Sequence, residues 1–190
     1  MLKLVKRRYL GIYLKLTTMI KVNIATTKGF STEELKKVHT AQNALNKILN
    51  NENFKDQVLY FTTDGLFRFH YRRTFLGKWI DRPHSNREVY EILTQGSAST
   101  GADVKQVDLH LEMLPGGDVE QLGYTNPDTQ RIYTYRNWFN NLSLAGYTSH
   151  LAHEWCHQLG FSHASKPTEK TNHSVPFGIG NITEKIALYH

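Results

Sequence analysis

Residues 153–163 read His153-Glu154-Trp155-Cys156-His157-Gln158-Leu159-Gly160-Phe161-Ser162-His163. The segment offers three imidazoles, one carboxylate and one glycine at fixed spacing. On a helix over Ser143 to Leu159, successive residues turn by about 100°, so His153 and His157 lie about 40° apart and one turn along. Both rings then point at one spot. Zn²⁺ takes imidazole nitrogen at about 2.0–2.1 Å and, in catalytic sites, keeps three protein ligands and an open position. Glu154 sits about 100° round from His153, a poor angle for a ligand on the same ion. It is a good angle for a carboxylate that takes a proton from a metal-activated water.

His163 is reached only if the chain turns back. On a continuous helix it would lie about 9 Å beyond His157 along the axis and on another face. Gly160 stands where a helix must stop, and glycine accepts the left-handed conformation that ends helices. Two histidines four apart also occur as solvent neighbours on an ordinary helix. The further match at Gly160 and His163 weighs against that, because all five residues recur by chance in about one in 10⁴ chains of this composition.

The pattern His-Glu-x-x-His-x-x-Gly-x-x-His resembles the signature of the metzincin zinc endopeptidases. The resemblance implies that His153, His157 and His163 bind zinc and that Glu154 is the general base. It is carried by residues 143–163, extends by element order to 107–180, and before 107 rests on order alone. Ala164 follows the third histidine and matches none of the major subfamilies, which are told apart at this position. Metzincins also carry a tight turn with methionine below the metal. Here the only methionines are Met1, Met19 and Met113, all upstream. The nearest equivalent is Ser174-Val175-Pro176-Phe177-Gly178, with Pro176 in the methionine position. Gly178 stands where some members have a metal-side tyrosine, for which Tyr189 is a distant candidate. The resemblance further implies an edge strand above the metal that pairs with an extended substrate. Gly123 and Tyr124 are its expected substrate contacts, a plain sheet edge being the alternative. A secreted or periplasmic location is the family expectation.

The chain has 190 residues, enough for one domain or one domain with two lobes. At 39% hydrophobic and 12% aromatic it can bury a core. Cys156 is the single cysteine, which excludes an intrachain disulfide. The formal charge is +6, concentrated in Lys3, Lys6, Arg7, Arg8 and in Arg68, Arg72, Arg73, Lys78. No nucleic-acid motif surrounds these residues, and a solvated basic face is the preferred reading. No apolar run reaches the length of a membrane span, and Arg7, Arg8 and Lys15 interrupt any signal-peptide core. Asn141, Asn172 and Asn181 head glycosylation sequons of the kind an Asn-rich chain produces by chance.

The elements that must position the motif follow from periodicity. Tyr9–Ala25 alternates as a strand or hairpin. Ser31 and Glu34 form a capping box for a helix to about Leu49. Gln57–Thr62 and Leu66–Phe75 read as strands, Arg87–Leu93 as a short helix, and 96–103 as a loop. Val107, Leu109, Leu111 and Met113 alternate as a strand, and Pro115–Asp118 is a turn. Val119–Thr125 is the expected edge strand and Arg131–Tyr135 the strand leading to the motif helix.

The expected fold is α+β and metzincin-like. Residues 1–160 hold a twisted mixed sheet and the active-site helix. Residues 161–190 form a small irregular C-terminal part that supplies His163 and the Pro176 turn. The expected function is a zinc endopeptidase acting on protein or peptide, without nucleic acid, and monomeric. Cys156 is expected to pack, His150 to lie behind the ligands or on the surface, and His173 to be a weak substrate-side candidate. Three rival readings remain. One is a non-catalytic zinc-binding domain, and another a polyanion-binding module. The third is a gluzincin-type peptidase, with a downstream glutamate as third ligand: Glu184 on a following helix, or Glu169.

Overall fold

The alternation over Val107–Met113 becomes the central strand of a mixed sheet. The structure, a computed structural model, describes residues 19–68, 71–73, 79–95, 98–99, 104–116, 121–126, 128–163 and 169–189. The expectations for residues 9–18, for the basic cluster near the start and for Ala164 lie outside these.

In chain order the elements are β1 (Met19–Lys28), α1 (Thr32–Leu49), α2 (Glu52–Leu59), β2 (Leu66–Phe67), β3 (Tyr71–Arg73), β4 (Trp79–Asp81), β5 (His84–Ser85) and α3 (Asn86–Gln95). There follow β6 (Ala98–Ser99), β7 (Val104–Leu114), β8 (Gly123–Asn126), β9 (Arg131–Tyr135), α4 (Arg136–Asn141), α5 (Leu144–Gln158), a 3-10 turn (Glu169–His173) and α6 (Val175–Ala187). The main sheet runs β1-β7-β9-β8, with β6 also on β7. β1, β7 and β9 are parallel, while β8 returns antiparallel to β9 as the outermost strand.

One sheet face is apolar and covered. Ile20, Val22, Val107, Leu109, Leu111, Met113 and Ile132 are buried there with the helices. The opposite face carries Asn23, Asp108, Lys28, Glu112 and Arg131, linked by a hydrogen bond from Asn23 to Asp108 and by ion pairs of Glu112 to Lys28 and Arg131. This is the period-two pattern of a sheet with one wet side.

The two sheet edges differ. At β1, α1 seals the edge with amides: Asn50 accepts from Ile20 N–H and donates to Ile20 C=O. Asn46 does the same for Val22, and Gln42 also donates to Val22 C=O. At Ile20 and Val22 the outward groups that make an edge strand adhesive are thereby satisfied. At β8 no further strand pairs among the described residues. The pairing phase shows which groups β8 presents outward. Tyr135 N–H donates to Leu122 C=O, so by alternation Tyr124 and Asn126 bond β9, while Gly123 and Thr125 turn their N–H and C=O away from it.

Several expectations are corrected. Residues 57–62 are not a strand: Asn51 caps α2 by accepting from Asn53 N–H, and Phe54 and Val58 bury one face of that helix. The expected strand over 66–75 is two short ones, β2 and β3, pairing with different partners. The loop at 96–103 contains β6. The described residues of the C-terminal part are not irregular. More than half of them form α6, whose Val175, Ile179, Ile182 and Ile186 join Phe161 in the same core as α5 and the sheet. The division at residue 160 therefore separates no independent packing unit.

Candidate metal centre

The helix that carries the motif starts at Ser143, whose hydroxyl accepts from Gly146 N–H at 3.0 Å. It ends in a Schellman closure: Phe161 N–H donates to Cys156 C=O and Gly160 N–H to His157 C=O. Gly160 has φ +90°, the left-handed value that this closure requires, with open space around it. The chain reverses there and delivers His163 beside the two helical histidines.

His153, His157 and His163 form one group whose ligand atoms all lie within 4.8 Å of one another, close enough to hold a metal ion. Their ring centroids are 5.1, 5.1 and 4.9 Å apart, nearly an equilateral triangle. His153 Nε2 and His163 Nε2 are 3.1 Å apart. His157 Nδ1 donates to Phe161 C=O at 2.8 Å, which leaves the Nε2 lone pair as its donor atom. Such outer carbonyls fix the tautomer and aim of metal-binding imidazoles. Burial, then the neighbouring His157 and His163, hold His153 well below the ordinary histidine range. It is therefore neutral, the form that binds metals.

Glu154 is outside this ligand group and 4% exposed. Its carboxylate turns toward β8. The Thr125 hydroxyl lies 2.8 Å from Glu154 Oε2 and 2.9 Å from the Glu154 carbonyl oxygen. A hydroxyl has one proton, so Thr125 Oγ1 donates to the carboxylate or to the carbonyl oxygen, both being within its reach. Burial pushes the Glu154 carboxyl up to about 7, against the lowering effect of Thr125. On its other side Glu154 Oε1 is 3.7 Å from His150 Nδ1. His150 is buried and uncharged, depressed to about 3 by burial and then by His157, and its Nε2 pairs with Thr134 Oγ1 at 2.9 Å. It is thus neither a ligand nor a surface residue.

Gly123 fits closely over His150. A Cβ there would stand 2.1 Å from Tyr133 O and 2.8 Å from His150 Cε1, so only glycine lets β8 pass. Tyr124 points the other way. It is 37% exposed and stacks on Tyr133 at 4.8 Å, on the sheet face opposite α5. Its side chain does not face the histidines; what β8 offers on the site side is the side chain of Thr125.

The Pro176 turn is corrected to a helix start. Ser174 has extended N-cap dihedrals and proline occupies the first helical turn, where its missing N–H costs nothing. Phe177, not Pro176, supplies the apolar surface behind the ligands, at 4.6 Å from the His153 ring and 4.7 Å from His163. Gly178 faces Phe61 and Phe67, where a Cβ would come within 2.7 Å of Phe61. Tyr189 is exposed and lies past the C-terminal end of α6, whereas Phe177 lies in its first turn, so Tyr189 brings no phenol to the site. Glu184 lies beside Gly146 at the start of α5, so the geometry speaks against it as third ligand. Glu169 heads the 3-10 turn. Cys156 is buried, and burial raises its thiol well above the ordinary range, as a packing cysteine requires. The His173 ring lies 6.2 Å from that of Phe61 and tilted to it, and His173 is not in the ligand group.

Thr125, Thr134 and Phe177 were not singled out by sequence. Thr125 fell inside the expected edge strand, and its side-chain direction depends on strand phase. No family model, no characterised protein and no solved structure matches this chain.

Proposed function

We propose that this chain is a zinc-dependent endopeptidase. The observation that carries the reading is the convergence of three imidazoles, one of them aimed by a backbone carbonyl, beside a buried carboxylate that is not itself a ligand. Tetrahedral zinc with nitrogen at about 2.05 Å places ligand nitrogens about 3.3 Å apart. The His153–His163 contact of 3.1 Å fits that spacing. When bound, zinc supplies Lewis acidity and a nucleophilic water at neutral pH.

The chain's own residues supply the remainder. His153, His157 and His163 hold the ion. Glu154, with a proton affinity near neutrality, takes a proton at its carboxylate and returns it to a leaving amine. The outward N–H and C=O groups of Gly123 and Thr125 pair with an extended peptide, which gives affinity without demanding particular side chains.

The test is digestion of a peptide library by zinc-loaded protein, with Glu154→Gln alongside. The peptidase reading expects chelator-sensitive cleavage by the wild type, and retained zinc with cleavage lost in the variant. Equal cleavage by both, or none by the wild type, rejects it. A metal that only staples the fold would give the second result, since a structural site has no use for the carboxylate.

A further inference from the structure

We propose that Thr125 is a positioning residue that ties the orientation of the Glu154 carboxylate to occupation of the β8 edge by an extended peptide. The proposal rests on the peptidase reading above and names how the substrate is sensed.

Thr125 has two faces. Its backbone N–H and C=O lie on the outward side of β8, where an added strand would bond them. Its side chain lies on the α5 side and touches both the carboxylate and the backbone carbonyl of Glu154. The same residue therefore meets substrate backbone on one side and the base on the other.

The surroundings restrict how the carboxylate can move. His150 fills the space by Oε1 and is itself pinned by Thr134 and covered by Gly123. The hydroxyl is what fixes Oε2. β8 is a short strand of four residues, and among the described residues it pairs on one side only. A peptide added to its free edge gives it a second ladder and holds Thr125 in register. Gln121 donates to Gly123 C=O at 3.2 Å, and it is an exposed side chain that an incoming peptide N–H replaces.

Pairing energy gained away from the scissile bond then appears in the chemical step, so short substrates lose kcat as well as affinity. The experiment compares zinc-loaded wild type, Thr125→Val and Thr125→Ser on a short peptide and on the same peptide extended to pair along β8. The wild type is expected to turn over the extended peptide with the higher kcat. Thr125→Val should lower kcat about tenfold with KM nearly unchanged, and should abolish the gain from extension. Thr125→Ser should restore both. Zinc affinity, read by competition with a chromophoric chelator, should be the same in all three proteins. An unaltered kcat and length gain in Thr125→Val, beside an active wild type, overturns this inference alone. So does a Thr125→Val protein whose zinc affinity falls with its activity, because the residue then only supports the fold. A wild type that cleaves neither peptide overturns the peptidase reading and this inference with it.

Discussion

His163 depends on everything that precedes it, because it reaches the site only after the chain has reversed. Its replacement by alanine should weaken zinc binding by more than the ~10–100-fold that loss of an outer hydrogen-bond partner costs. Competition titration reads this directly, and an affinity within a few-fold of wild type would mean that the third ligand lies elsewhere. Phe177 acts one layer out. Its ring packs on two of the three imidazoles, so Phe177→Ala frees them to rotate. Zinc affinity should fall about tenfold, and Phe177→Leu should recover most of it, since apolar volume is what the position needs. Gly123 is constrained by contact and not by conformation. Gly123→Ala drives a methyl into Tyr133 O and His150, with an expected loss of about 1–3 kcal/mol in denaturant melts. A neutral result would show that β8 can shift without cost.

At the scale of elements, Gly160 is the hinge between helix and third ligand. Its φ of +90° lies in open space, so Gly160→Ala meets conformational strain of about 1–2 kcal/mol and no clash. The expected result is a modest loss of stability together with a larger loss of zinc affinity, because the strain is relieved by moving His163. Measuring both on one preparation separates them, and equal losses would contradict a positioning role. This junction was legible in the sequence. Helix, stop and return follow from the spacing of five residues, as the Ser31–Glu34 capping box follows from that of two. Other elements were not. Gln57–Thr62 alternates like a strand, but Asn51 caps a helix in which Phe54 and Val58 pair one turn apart. The glycines of α6 are places of close approach: Gly178 under the Phe61–Phe67 stack, and Gly180 against Ser149 and His153. Local pattern does not reveal such contacts, because the partner is more than twenty residues away. The same limit hid Thr125, whose importance comes from the phase of β8 against β9.

For the whole molecule, the site's buried titratable groups set a pH dependence on the metal-free fold. His150 titrates near 3 and His153 well below 6.5, so between those values and 6.5 only the unfolded chain binds their protons, and acidification favours unfolding. Glu154 works the other way between 4.5 and about 7, where the folded chain keeps a proton that the unfolded chain releases. Two histidines oppose one carboxylate. The net expectation is falling stability as pH drops below about 6.5, steeper below about 4.5 where Glu154 has no further effect. Thermal melts of chelator-treated protein across this range check the sign, and a midpoint that rises steadily on acidification would contradict it. The three histidines sit in one packing unit, with α6 sharing the core of α5 and the sheet, so loading the site with zinc should stabilise the entire fold. Zinc at 1,000 times its dissociation constant adds about 4 kcal/mol by mass action.

The central claim is that one divalent ion is held by three histidines of the motif. Zinc content after dialysis, measured on wild type, His153→Ala and His163→Ala with X-ray absorption on the loaded wild type, tests it most directly. The account predicts one zinc per wild-type chain with three imidazole nitrogens in its first shell, and near-complete loss in both variants. Substoichiometric zinc in the wild type, or a His163→Ala protein that retains its ion, would contradict it.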